Sequence, residues 1–279
     1  MTLAKSDFIR RLSKNPVIPA GALIILLVIV VGTLAPLLSP YNPSKMYIRH
    51  RREAPSKDFW LGTDRLGRDM LSRMIWGTRV SLVIGVMAVT VSMIVGVIIG
   101  LIGGYYGGLL DEVLMRIMDI IFSIPALLLA IALIAITGPS MRNIIIVVGI
   151  VRVPRFARIV HGSVLSIKEK EFVEAARSIS KSDTGIMFQH ILPNCIAPLT
   201  VEASLSIATA IITESALSFL GLGVRPPTPS WGQMIADGRS ELFTAPWMVM
   251  FPGLAIVLTV LGYNLLGDGL RDALDPRLK

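Results

Sequence analysis

Four ionisable side chains lie in or beside stretches that are otherwise apolar: Asp119, Arg152, Glu202 and Glu214. An ionised group at the centre of a bilayer costs about 2.5–3.5 kcal/mol on insertion scales, so each needs a partner or a task. Carboxylates along a water-filled path would attract a cationic group in transit. The reading that needs fewer assumptions buries them in pairs, Glu202 with Arg152 for example, or sets them at headgroup level. Glu202 and Glu214 are 12 residues apart. On one helix that is about 18 Å along the axis and about 120° around it, so they do not share a face.

Other chemistries lack their residues. His50, His161 and His190 belong to no H-E-x-x-H pattern and no Cys/His cluster, which leaves no metal site to predict. The single cysteine, Cys195, excludes an internal disulfide and reads as a packing residue at the start of a span. No G-x-S-x-G elbow is present. Gly62 and Gly67 have the glycine spacing of a phosphate loop, but the lysine that would follow is missing. The sequence therefore predicts no catalytic residue and no cofactor bound by this chain. Two other classes stay open: an intramembrane enzyme built on Asp119 or Glu202, and a stand-alone secondary transporter or channel.

The elements that must position these groups are membrane spans. The chain has 279 residues, 53% hydrophobic and 16% charged, with mean hydropathy +0.69. About 20 mostly apolar residues cross the hydrocarbon of a bilayer. Six stretches qualify: about 17–38, 80–102, 117–137 with Pro125 inside it, 143–159 interrupted by Arg152, Pro154 and Arg155, 195–220, and 246–266. The expected fold class is an all-α integral membrane protein. The expected segments are 1–16, a cytoplasmic N-terminal stretch read as preceding an uncleaved anchor, then 17–79, a first span with its outer loop, and 80–279, a five-helix core. Lys5, Arg10, Arg11 and Lys14 favour a cytoplasmic N-terminus, and six crossings return the C-terminus to the same side. The outer loop 39–79 runs against this, with nine basic residues to four acidic ones, although long loops cross regardless of charge. The net charge of +8 lies in loops flanking apolar runs, without aromatic interleaving. It suits anionic headgroups of the lipid bilayer and not nucleic acid. Trp76, Trp231 and Trp247, near span ends, suit interfacial anchoring.

One polar stretch, about 160–194, sits among these spans and is placed in the cytoplasm by counting crossings. Ser166 and Glu169 have capping-box spacing, predicting a helix over about 167–179. Phe172, Val173, Ala176 and Ile179 form one apolar stripe. Glu174 and Arg177 are spaced to pair. Ser182 or Asp183 caps a second short helix, Pro193 ends it, and Asn194 is placed to cap the next span. An amphipathic helix on the membrane surface is the plainer reading. The two-helix form with a turn between suits a knob for a cleft on another protein.

The stretch "EAARSISKSDTGIMFQHILPN" (174–194) resembles the EAA loop of ABC importer permeases. "LGTDRLGRDMLSRMIWGTRVSL" (61–82), "SFLGLGVRPPTPSWGQMIADGR" (218–239) and "LRDALDPRL" (270–278) resemble the C-type permease subunit of dipeptide and oligopeptide importers. The resemblance covers nearly the whole chain, in order. It implies a type I importer permease fold with a two-helix coupling loop, in the inner or plasma membrane of a prokaryote. It implies as partners a second homologous permease subunit, two ATPase subunits that bind ATP and Mg, an extracytoplasmic solute-binding protein, and a peptide substrate. Carried onto this chain, the ATPase-docking positions are Glu174, Ala175, Ala176, Arg177, Ser180, Leu192 and Pro193. The path candidates are Glu202, Glu214, Arg152 and Asp119, with Glu202, Glu214 or both placed to attract a peptide's ammonium group. One departure stands out: the glycine that usually follows EAA by three residues is Ser180 here, with a glycine only later, at Gly185.

Overall fold

The computed structural model describes residues 17–274, so the basic N-terminal residues and the end of the tail lie outside the described residues. The described chain is helical and carries no strand, only an isolated bridge between Thr63 and Asp69. The expected all-α class is what the structure has. The principal helices are α1 (Val17–Thr33), α2 (Met70–Tyr106), α3 (Gly108–Ser123), α4 (Ala126–Thr137) and α5 (Met141–Ile167). They are followed by α6 (Glu171–Ser178), α7 (Asp183–Ile186), α8 (Leu192–Phe219), α9 (Trp231–Gly238) and α10 (Trp247–Leu274). A π turn, Met187–Ile191, fuses α7 to α8.

α2 and α5 form the spine. Gly96, Gly100 and Gly104 recur every fourth residue of α2 and so lie on one stripe. A Cβ added at Gly100 would stand 2.5 Å from the Ala157 carbonyl oxygen, so only glycine lets the two backbones approach this closely. Buried Val153, Phe156, Val160 and Val164 of α5 fill the seam. Small residues serve membrane helices in this way because lipid offers no hydrophobic drive to associate, and close packing must supply it. α1 rests on α10 by the same device, where Gly21 meets the Gly262 backbone.

Length and composition single out three helical stretches able to cross a membrane: Met70–Tyr106, the continuous Asp183–Phe219, and Trp247–Leu274. A fourth is α3 with α4, if the two count together. Six had been expected. α1 has only 17 residues, and α5 carries Arg142, Arg152, Arg155 and Arg158. The span expected over 117–137 with Pro125 inside it is instead two helices bent by 92° at Ile124 and Pro125, the backbone before proline avoiding the α region.

The long loop 39–69 folds as a cap with α9. Asp64 is its hub: its Oδ2 pairs with Arg68 Nε at 2.6 Å and Arg73 Nε at 3.6 Å, and its Oδ1 accepts from the Leu66 and Arg68 amides. Asp237 of α9 faces Arg65 and Arg68, and Arg52 reaches Glu241 at 2.7 Å. Asp69 caps α2 by accepting from the Ser72 amide. Two of the tryptophans expected at the membrane interface belong to this cap. Trp231 is buried and donates to the Met74 carbonyl, and Trp247 donates to the Thr63 carbonyl. Their indole N–H groups satisfy protein carbonyls, not headgroups.

Candidate coupling loop and the charged residues of the core

The bundle end opposite the cap carries residues 168–194. α5 runs through Ser166 to Ile167, so the capping box expected at Ser166 and Glu169 does not form. The apolar row Val160, Val164 and Ile167, buried against the spine, extends α5 beyond the point where local spacing would start a new helix. α6 starts after Lys170, without a side-chain cap. Lys168 donates to the Gly104 carbonyl and ties the connection to α2.

α6 divides its apolar stripe. Val173 and Ala176 are buried against the bundle, with Ile186, Met187 and Ile191 in the same core. Phe172 is 42% exposed and Ile179 is 77% exposed, and Ala175 between them is exposed as well. Glu174 is exposed and does not pair with Arg177. The Arg177 guanidinium lies over the Tyr105 ring, 5.4 Å from its centroid. Tyr105 in turn donates to Asp183 Oδ1 at 2.7 Å. The last residues of α2 thereby clamp both arms of the loop.

The turn between the arms is set by Ser180, whose φ is 55°, in the left-handed region that favours glycine. The Ser180 amide donates to the Arg177 carbonyl at 2.8 Å, and the Lys181 amide to the Ala176 carbonyl at 3.2 Å. This is the Schellman pattern, in which a residue of positive φ satisfies the last carbonyls of a helix. Ser182 caps α7 by accepting from the Gly185 amide, as expected for one of the two proposed caps.

Pro193 does not end the second arm. It sits in the first turn of α8, and the chain stays helical from Asp183 to Phe219. A proline inside a regular helix clashes with the carbonyl four residues back. The π turn widens the helix there and makes the room. Asn194 is not a cap either. Its amide side chain donates to the His190 carbonyl at 2.7 Å. Of the seven expected docking positions, Glu174, Ala175, Arg177, Ser180 and Pro193 are exposed, Leu192 is half-buried, and Ala176 faces inward.

The four charged core positions do not converge. Glu202 pairs with Arg155 Nε at 2.6 Å, not with Arg152, and also accepts from Ser206 Oγ at 2.7 Å. Arg152 donates to Thr213 Oγ1 at 2.9 Å instead. Glu214 is fully buried and accepts from Ser218 Oγ at 2.7 Å. Asp119 pairs with Arg158 at 2.7 Å, and both are exposed. Sequence reading missed Arg155, Arg158, Tyr105 and the cap's Asp64 hub. Two signals were present: the row Arg152, Arg155, Arg158 at a spacing of three, and a serine four residues after each of Glu202 and Glu214.

A glycine-seamed helical bundle, a polar cap at one end and a clamped two-helix loop at the other define a polytopic membrane subunit. Its class is given by comparison. Residues 96–279 match the family of binding-protein-dependent transport system inner membrane components, and residues 5–55 match the N-terminal transmembrane domain of oligopeptide transport permease C. The dipeptide transport system permease protein DppC of Alkalihalophilus pseudofirmus is 46% identical over 97% of this chain and 89% of its own length. The glutathione transport system permease protein GsiD of Pectobacterium atrosepticum is 47% identical over 98% of this chain and 91% of its own length. Among solved structures, an inward-facing MetNI methionine ABC transporter chain shares the fold, with TM-score 0.59 and 19% identity over 74% of this chain and 98% of its own. The chain belongs to the family of binding-protein-dependent transport system inner membrane components, the membrane permease subunits of ABC importers.

Proposed function

We propose that the chain forms, with a second homologous permease subunit, the path by which an ATP-driven importer moves peptides across the cell membrane. Peptides are the cargo class named for its dipeptide and glutathione relatives. In this reading the loop 168–194 faces the cytoplasm, as do both termini, and seats in a cleft on an ATPase subunit. The ATPases bind ATP and Mg and perform the hydrolysis, so this chain is a non-catalytic member of the complex. The cap receives the solute-binding protein on the opposite side.

The observation that carries the docking role is the split face of α6. Val173 and Ala176 fix the helix to the bundle, while Phe172, Ala175 and Ile179 present an uncovered apolar ridge beside Glu174. Apolar side chains left exposed on a polar loop mark an interaction site. The clamp through Tyr105 and Lys168 gives that ridge a rigid link to α2, so a displacement of α6 would be passed to a span. An intramembrane enzyme has no observation in its favour, because Asp119 and Glu202 are each held by a different arginine. The test is reconstitution with the ATPase subunits, partner permease and binding protein in vesicles. ATP-dependent peptide uptake is expected, and uptake by this chain alone without ATP overturns the reading.

A further inference from the structure

At the loop end of the bundle, α5, α8 and α10 line an open cavity of about 400 Å³ that the transport reading leaves unused. Its charged lining is Arg155, Glu202 and Arg271. Asp268 and Asp272 of the same helix do not line it. Two guanidiniums face one carboxylate there, so one positive charge is unmatched. Arg155 is committed to Glu202, whereas Arg271 has no ion pair among the described residues. Arg152, one turn from Arg155, adds its field and keeps a buried Nε without a hydrogen-bond partner. The rest of the lining is aliphatic, with Ile159, Val201 and Leu205 among it.

We infer that this cavity binds the phosphate headgroup of an anionic phospholipid, with an acyl chain along its aliphatic wall. Charge supplies the first argument: a phosphate anion neutralises the surplus, and basic pockets between spans are built for anionic headgroups. Depth supplies the second. α5 has no charged residue from Asn143 to Val151, then Arg152, Arg155 and Arg158 in succession, which marks where hydrocarbon gives way to headgroups. Arg271 stands in the last turn of α10 at the same end. Wall chemistry supplies the third. A peptide brings N–H and C=O groups at every residue that would go unsatisfied against aliphatic walls, whereas an acyl chain brings none.

The test uses the assembled importer in detergent, with retained lipid counted by native mass spectrometry. Phosphatidylglycerol, phosphatidylcholine and inorganic phosphate are the probes. The intact complex is expected to retain phosphatidylglycerol in preference to phosphatidylcholine. Arg271→Gln is expected to reduce that preference about fivefold, the share of one basic residue near a headgroup. A second variant, Arg155→Gln with Glu202→Gln, removes the ion pair but leaves the surplus charge on Arg271, and is expected to keep the preference; its loss there overturns the charge argument. Equal retention of the two lipids, or an unchanged preference in Arg271→Gln, overturns the site. Displacement by inorganic phosphate at the lipid's concentration overturns the lipid assignment, and so does displacement by peptide. A complex that retains no phosphatidylglycerol overturns it as well, since the partner permease then covers the cavity.

Discussion

Ser180 stands with φ at 55°, where a side chain crowds its own backbone and glycine does not. Replacing it with glycine is expected to stabilise the loop by about 1 kcal/mol, and Ser180→Val to weaken it by a similar amount or more, because a β-branched residue tolerates this region least. Hydrogen exchange at the amides of α6 and the following turn reads both changes. At Glu202 the strong partner is Arg155. Removing one side of a buried pair costs about 3–5 kcal/mol, but Arg155 is 54% exposed, so solvent screening brings Arg155→Ala toward about 1–2 kcal/mol. Arg152→Gln, with only a neutral hydroxyl partner, is expected to cost less. Unfolding midpoints in detergent rank the two. The odd residue at 180 was legible in the sequence, because the family's turn position holds serine where glycine is usual. The partner of Glu202 was not legible. Arg152 and Arg155 lie one turn apart on α5, and nothing in their spacing decides which of them reaches across to α8.

Among the elements, the seam between α2 and α5 depends most on single residues. Gly100→Leu is expected to force the helices apart, because even a Cβ there meets the Ala157 carbonyl. The expected outcome is loss of folded protein in the membrane, checked by the yield of monodisperse material after extraction. Gly162 meets nothing within 4 Å, so Gly162→Ala is the matched control and is expected to fold normally. Most helices were legible as apolar runs, but their ends were not, for three physical reasons. Packing of Val160, Val164 and Ile167 against the spine extended α5 past a well-formed capping signal. A π turn let the helix run through Pro193, where local rules end it. The peptide before Pro125 turned one expected span into two helices at 92°. The cap could not be read at all. Its hub pairs Arg68 with Asp64 four residues away but also with Asp237, far along the chain, and no periodicity encodes such a contact.

For the whole molecule, the cap is held by ion pairs around Asp64 and Asp237 and exposes Met46, Ile48 and Trp60, while the loop 168–194 leaves Phe172, Ala175, Ile179 and Phe188 exposed on a rigid mount. In the proposed reading, energy from ATP arrives through contact with an ATPase subunit. We propose that α6 makes this contact. The most direct measurement is co-purification of the ATPase subunits with a permease carrying Glu174→Arg, alongside ATP-driven uptake in vesicles. Glu174 is exposed and makes no ion pair among the described residues, so the variant is expected to fold and insert as the wild type does. The account predicts that it loses the ATPase, or retains it with uptake reduced at least tenfold. A variant that binds the ATPase and imports peptide at the wild-type rate would contradict it.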